Sequence, residues 1–272
     1  MSDDPMSTPM TELLDTNIKE IIRRHADVAE VLEAHGIACV TCGVGTCLLK
    51  DIIEIHALAD DAVRSVLTGV AQVVFPGQDV EIPRLEAKPP AQPASLSPPI
   101  KRLMDEHANI KRLIGLAPYL TDRLRDEPEA GRQLIRDAVE FIGSYADRFH
   151  HAKEEDILFG FFDQSAAIFG VMRDDHVTAR SHVTAIRAGL DDLDDDQVVT
   201  NLQSYVELLT AHIRKEDEVL YPWMDRNLTT RQVGELFARF AQVDGELGDD
   251  ASQRIEFLDG LEEEALSSRA AV

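Results

Sequence analysis

Apolar residues in the second half of the chain recur at alternating spacings of three and four, which is typical of helices that bury one face. Four such stretches follow one another, separated by short polar segments near residues 126–130, 163–167 and 191–196. Because short connections join antiparallel neighbours, the pattern predicts an all-α, antiparallel up-and-down four-helix bundle over residues 100–227. A C-terminal helical extension is expected over residues 228–272.

A smaller helical unit is predicted ahead of the bundle, over residues 11–75. Residues 15–17 offer a helix cap, Gly36 offers a stop, and Asp60 is a second candidate for a cap. We therefore expect a small three-helix domain here. Residues 76–99 contain seven of the twelve prolines, and this composition predicts a stiff, semi-extended linker between the two domains.

Six polar residues occupy seam positions of the bundle that the pattern would otherwise fill with apolar side chains. They are His107, His150, Glu154, His176, His212 and Glu216. Burial of each without a partner would cost about 1–3 kcal/mol, so the six together approach the whole stability of a domain, about 5–15 kcal/mol. A metal centre would offset this cost. The spacing His-x-x-x-Glu, which occurs twice, places both side chains on one helix face.

The donor types narrow the choice of metal. Imidazole and carboxylate without thiolate suit iron, manganese or zinc, and six ligands exceed the four that a zinc site normally takes. Four histidines and two glutamates fit two metal ions. Ferritin-like di-iron proteins use Glu-x-x-His on two helices, which is the reverse order, so that class ranks second. The sequence leaves iron against manganese open.

These motifs carry a resemblance to a known family. The matching stretches are LMDEH at 103–107, HHAKEEDILF at 150–159, VMRDDH at 171–176 and HIRKEDEVLYP at 212–222. Residues 98–222 thus resemble a haemerythrin-like (HHE cation-binding) domain, so the bundle is expected to be haemerythrin-like. The resemblance implies a non-haem di-iron centre with two iron ions. It implies His107, His150, His176 and His212 as terminal ligands, and Glu154 and Glu216 as bridging carboxylates.

One position departs from the oxygen-carrying members of this family. They place a second histidine four residues after the third-helix histidine, and here that position is Arg180. His182 points about 240° away around an α-helix from His176, and His151 lies about 100° from His150, so neither is expected to be a ligand. One iron should therefore have fewer protein ligands. This favours reaction with a small molecule, or sensing of it, over reversible oxygen carriage. The set of four histidines and two glutamates resembles that of the iron–sulfur-cluster repair proteins of the family more than that of the oxygen carriers.

Three cysteines in one short loop are the second chemical feature. They are Cys39, Cys42 and Cys47. Residues 15–70, and HGIACVTC at 35–42 above all, resemble the small helical domain associated with redox disulfides and hybrid-cluster proteins. Three interpretations stay open. Cys39 and Cys42 form a reversible dithiol; or the three cysteines hold three corners of an iron–sulfur cluster or metal site, with His35, His56 or an external group at the fourth; or all three are unmodified thiols.

Composition excludes some classes of function. The net charge of −23 argues against binding to nucleic acid and against docking on anionic lipid. No apolar run approaches the roughly 18 residues of a membrane helix, and the first residues lack the features of a secretory signal. At 272 residues the chain is long enough for two domains, and the cytoplasm is the expected location.

Together these features predict a non-haem di-iron protein that senses or handles oxygen, nitric oxide or redox stress, with iron–sulfur-cluster repair as one such role. The cysteine module would supply electrons, a cluster or a docking surface. Expected partners are O2, NO or peroxide, and a redox partner protein. The alternatives are a metal-dependent redox sensor or adaptor that acts through protein contacts, and a ferritin-like protein that stores oxygen or iron. Whether the protein is an enzyme stays open.

Overall fold

The computed structural model describes residues 9–37, 47–56, 58–85 and 96–270. The described residues form helices and the turns that join them. The chain divides into two compact units. The first comprises Met1–Ser95, Ser165–Val171 and Glu218–Arg226, and the second comprises Leu96–Gln164, Met172–Asp217 and Asn227–Val272. The domain boundaries expected from the sequence stay a prediction.

Five short helices make up the described amino-terminal part of the first unit. They are α1 (Pro9–Leu14), α2 (Ile18–Arg24), α3 (Val28–Glu33), α4 (Leu49–Ile55) and α5 (Asp60–Val74). Their buried apolar side chains form a small core. α3 packs closely on α5, because a Cβ at Gly69 would lie only 2.7 Å from a Val31 methyl carbon. This close approach favours glycine at position 69.

The helix signals in this unit were partly right. The Asn17 side chain caps α2 by accepting from the Lys19 amide at 2.9 Å, and Gly36 has a positive φ of 76° after α3. The expected number of helices was wrong. The apolar repeat predicted one helix from residue 18 to Gly36, but α2 ends at Arg24 and α3 begins at Val28. A break of three residues is nearly one helical turn of 3.6, so it leaves the spacing of apolar residues almost unchanged.

The second unit contains the predicted all-α bundle. The bundle consists of four helical stretches. Its first is α6 (Pro98–Gly115) followed by α7 (Ala117–Asp126), and its second is α8 (Pro128–Phe141) followed by π-helical segments at Ile142–His151 and Glu154–Leu158. Its third lies within α9 (Ala167–Asp192) from Met172 onward, and its fourth is α10 (Asp195–Lys215) followed by the start of a π-helical segment at Glu216–Leu220. The end of that segment and most of α11 (Tyr221–Asn227) belong to the first unit. Buried apolar residues of α6 to α10 form one hydrophobic core.

Tight connections hold neighbouring helices antiparallel. α7 and α8 meet so closely that a Cβ at Gly131 would lie 2.3 Å from the Leu124 Cα, which only glycine allows. α9 and α10 are joined through Leu193, whose φ is 58°, and Asp194 then caps α10 by accepting from the Gln197 amide at 3.0 Å. These contacts explain how short polar segments reverse the chain, as the sequence predicted.

The C-terminal extension is one 41-residue helix, α12 (Thr230–Ala270). Thr229 and Gln232 form a capping box at its start: the Gln232 side chain accepts from the Thr229 amide at 2.9 Å, and the Thr229 hydroxyl accepts from the Gln232 amide at 3.3 Å. α12 packs against α6 and the π segment Ile142–His151. Within the part of the chain that the structure describes, no helix is long and apolar enough to cross a membrane.

Candidate metal centre

The structure brings the six polar seam residues into one buried cluster. None of their side chains is more than 1% exposed: His107, His150, Glu154, His176, His212 and Glu216. His151 joins them and is 3% exposed. The seven residues fall into two groups whose ligand atoms lie within 4.8 Å of one another. One group is His151, Glu154, His176 and His212, and the other is His107, His150 and Glu216.

His151 is the residue that the sequence reasoning missed. It was expected on the flank because neighbouring residues of an α-helix point about 100° apart. His150 and His151 instead end a π-helical segment, Ile142–His151. A π-helix closes i→i+5 hydrogen bonds and therefore fits more residues into each turn, so adjacent side chains diverge less. Both histidines consequently face the bundle interior, and the rings of His151 and His176 stack with centroids 3.9 Å apart.

Four of the histidines have the same pattern of contacts at the ring nitrogen Nδ1. In each, Nδ1 contacts a carboxylate at 2.7–3.1 Å, and that carboxylate also contacts a cation; we refer to these sets as relays. The relays are His107–Asp217–Lys111, His150–Glu106–Lys153, His176–Glu155–Arg180 and His212–Asp175–Lys215. A carboxylate at Nδ1 fixes the tautomer with its proton there, so that Nε2 presents a lone pair.

These lone pairs converge. Nε2 of His176 lies 3.0 Å from Nε2 of His212, and Glu216 Oε2 lies 3.2 Å from Nε2 of both His107 and His212. Nε2 of His150 is buried and has no hydrogen-bond partner among the described residues. Acceptor atoms at such distances repel one another unless a cation lies between them. The donor set therefore fits a metal-binding site.

The protonation of the metal-free cluster is consistent with this fit. Burial and the neighbouring His176 lower the pKa of His151 to about 3, so its ring keeps a lone pair at neutral pH. Burial also lowers the pKa of His212, but the negative charge of Glu216 and the contact with Asp175 outweigh burial and raise it to about 9. A proton on His212 thus relieves the repulsion in the metal-free chain, and a bound metal would replace that proton.

Comparison with known proteins adds one finding. Residues 98–224 match the family model described as "Hemerythrin HHE cation binding domain". This segment, slightly less than half of the chain, is therefore similar to the haemerythrin HHE cation-binding domains. No curated protein and no solved structure matches the chain. The match excludes the cysteine loop and α12, so those parts are interpreted from their own residues.

Within this haemerythrin-like segment, Arg180 occupies the position where the sequence predicted that a ligand would be missing. Its guanidinium contacts Asp147 and Glu155, each at 2.7 Å, and so belongs to the His176 relay. The hydrogen bonds that Glu155 accepts from His176 and Arg180 lower its pKa to about 2. His182 contacts the Asn201 side chain at 3.0 Å and lies outside both ligand groups, as expected. His151 joins one ligand group as a fifth histidine, and the two groups offer four and three donors, so the expected shortage of protein ligands at one iron stays a prediction.

The relay of His150 differs from the others in being sealed from water. Lys153 is fully buried, and its ammonium contacts Glu106, Asp244 of α12 at 2.8 Å, and the face of the Phe149 ring at 3.5 Å. Burial raises the pKa of Glu106 to about 7, against the attraction of Lys153. None of these partners was predicted from the sequence. The burial of Lys153 could have been predicted from its position between His150 and Glu154, on a helix face that the pattern places inside the bundle.

The predicted cysteine site is only partly within the described residues. Cys39 and Cys42 lie outside them, and Cys47 is buried just before α4, where its carbonyl accepts from the Ile18 amide at 2.9 Å. His35 contacts the Val31 carbonyl at 2.8 Å and the Ser65 hydroxyl at 3.0 Å, so both of its ring nitrogens are engaged. The described residues of this unit present no cluster of metal ligands. The role of the three cysteines stays a prediction.

Proposed function

We propose that the haemerythrin-like segment holds two metal ions and that these are iron. The observation that carries the proposal is the convergence of seven buried donor side chains into two groups. A zinc site normally takes four protein ligands, whereas seven imidazole and carboxylate donors without thiolate suit a pair of iron ions. His151, Glu154, His176 and His212 would hold one ion. His107, His150 and Glu216 would hold the other.

The two groups differ in a way that bears on reactivity. One ion would have four protein donors and the other three, and the larger number includes His151. The ion with fewer donors has more room for a small ligand. The relays hold each imidazole in a fixed orientation, and the burial of all seven side chains keeps bulk water away. Iron held in this way would supply redox chemistry toward small oxidants.

The function that these features support best is handling of oxygen, nitric oxide or peroxide, or a response to redox stress. Repair of iron–sulfur clusters is the more specific role that we propose within this class. The cysteine module would then serve as the electron source, the cluster carrier or the docking surface for a redox partner protein. The buried site supports a reactive centre more than a storage site, because storage needs room for many ions.

A redox sensor is the second candidate, and a specific contact favours it. Asp244 of α12 reaches Lys153, and Lys153 contacts Glu106, which accepts from His150. A change in charge at the metal centre would therefore reach α12 through three side chains. α12 also carries exposed apolar residues, among them Phe237 and Leu266. A sensor should change partner affinity or oligomeric state on oxidation, whereas an enzyme should turn over its substrate.

Metal analysis of the purified full chain tests the proposal. We expect about two iron ions per chain by elemental analysis, and loss of most of the iron in His150→Ala and Glu216→Ala. His182→Ala is the matched control, since it removes a bundle histidine that lies outside both ligand groups. Acid-labile sulfide, measured on the same samples, reports any cluster at the cysteine loop separately. A chain without iron, or unchanged iron in both ligand variants, would contradict the proposal.

A further inference from the structure

A cavity of about 210 Å³ lies beside the metal centre, between the π segment Ile142–His151 and α9. His151 lines it, and so do Arg180, Arg187 and Tyr205. A water molecule occupies about 30 Å³ in the liquid, so the cavity has room for a molecule of several heavy atoms. His151 also belongs to one of the two ligand groups, so one wall of the cavity is a side chain of the candidate centre.

Both arginines that line the cavity belong to α9, and Arg187 is exposed to solvent. Arg180 and Arg187 are seven residues apart, about two helical turns or roughly 10 Å. Arg180 lies at the His151 end through its contact with Asp147, whose carboxylate oxygen is 3.7 Å from Nδ1 of His151. Arg187 lies at the other end, since a Cβ at Gly143 would be 3.2 Å from its Nη2 atom. Glycine at position 143 gives the guanidinium room to lie along the cavity wall.

Hydrogen-bond donors outnumber acceptors in this lining. The carboxylate of Asp147 is committed to Arg180 at 2.7 Å. Arg187 makes no ion pair, and the Tyr205 hydroxyl makes no hydrogen bond, with any residue that the structure describes. Burial and the nearby charge of Asp147 raise the pKa of Tyr205, which therefore remains a donor. The cavity thus offers one uncompensated positive charge and one hydroxyl donor in a protein whose net charge is −23.

We propose that this cavity binds a small inorganic anion of a few heavy atoms beside the centre. The binding of the anion rests on the cavity alone, whereas any part that the anion plays in the chemistry of the centre rests on the proposed function. Arg187 and Tyr205 would contact the acceptor atoms of the anion, and the anion would lie within reach of His151. A guanidinium suits such a ligand because it donates in a planar fork.

Binding of azide tests the pocket. Azide is titrated into the full-length chain, with and without iron, and followed by calorimetry. In the iron-loaded chain it is also followed by the visible spectrum. We expect Arg187→Gln to weaken azide binding about 10- to 100-fold, the effect of losing a charged hydrogen bond. Arg187→Lys, which keeps the charge, should retain part of the affinity. Arg148→Gln is the matched control, because Arg148 is exposed on the same π segment and does not line the cavity.

The outcomes separate the pocket from the metal proposal. Iron content is measured for every variant, and wild-type chain without iron would sink the proposed function while azide binding to the iron-free chain still decides the pocket. Equal azide affinity in wild type and Arg187→Gln, or no azide binding to either, would overturn the anion pocket. Nitric oxide serves as the neutral probe, and NO binding that depends on Arg187 while azide binding does not would also overturn it.

Discussion

The relays of His107 and His150 use the same chemistry in different surroundings. Each pairs a buried histidine with a carboxylate and that carboxylate with a lysine. Lys111 of the first relay is 54% exposed, whereas Lys153 of the second is fully buried and also contacts Asp244 of α12. Water can replace Lys111 at little cost, whereas Lys153 is out of reach of water and only the partly exposed Arg102 also contacts Glu106 and Asp244 among the described residues. A carboxylate paired with a lysine can thus orient a ligand histidine when the lysine is exposed. When the lysine is buried, the same pair also connects α12 to the centre.

Removal of the buried cation should give the largest effect. In Lys153→Met, the buried Glu106 and the partly exposed Asp244 lose their buried common cation and keep only Arg102, which is 41% exposed, and breaking a buried ion pair in this way costs about 3–5 kcal/mol. Denaturant unfolding of the metal-free chain, followed by circular dichroism, measures the change. A loss below about 1 kcal/mol would show that water reaches this relay and that the contrast with Lys111 is false.

Loss of the relay carboxylate should lower metal affinity more in the His150 relay than in the His107 relay. Replacement of a carboxylate that orients a ligating histidine typically lowers metal affinity about 10- to 100-fold. We expect Glu106→Gln near the upper end, because Glu106 and its partner Lys153 are buried, and Asp217→Asn near the lower end, because Asp217 is 14% exposed and its partner Lys111 is open to solvent. Competition with a chelator gives both affinities. A larger effect of Asp217→Asn would reverse the comparison.

The link to α12 should appear as coupling between two positions. Asp244→Asn alone removes one of the two anions around Lys153, and we expect a loss of about 1–2 kcal/mol from this charged contact. In the double variant with Lys153→Met, the loss of unfolding free energy should differ from the sum of the two single losses. We expect a difference of about 0.5–3 kcal/mol, the range typical of contacting residues. Unfolding free energies of the four chains give this term. Strict additivity would mean that α12 is not connected to the relay.

The exposed relay should give the smallest effect. Lys111→Met removes an ion pair that is open to solvent, and such pairs contribute at most about 1 kcal/mol. Added salt should reduce even this difference, since exposed charges are screened over about 8–10 Å at physiological ionic strength. Unfolding in low and high salt measures it, with Lys153→Met as the salt-insensitive counterpart. A salt-independent loss in Lys111→Met would indicate that Lys111 acts through packing.

The sequence predicted the centre well where a residue interrupts a regular pattern. His107, His176 and His212 each replace an apolar seam residue, and the structure buries all three. The relay carboxylates were harder to assign, since Asp175 and Asp217 are acids among many acids on helices of a strongly acidic chain. Each was recognisable only once its facing histidine was known. His151 was missed because the prediction assumed α-helical phase throughout.

The sequence alone determined the helical class and the six seam residues, because the period of apolar residues and its interruptions are local properties of the chain. Tertiary structure decided the rest. The π turn that brings His151 inward needs the packing of neighbouring helices, since π-helices are rare as isolated structures. The burial of Lys153 depends on Asp244, about 90 residues later in the chain. Such contacts follow from how the helices are packed, which no local pattern records.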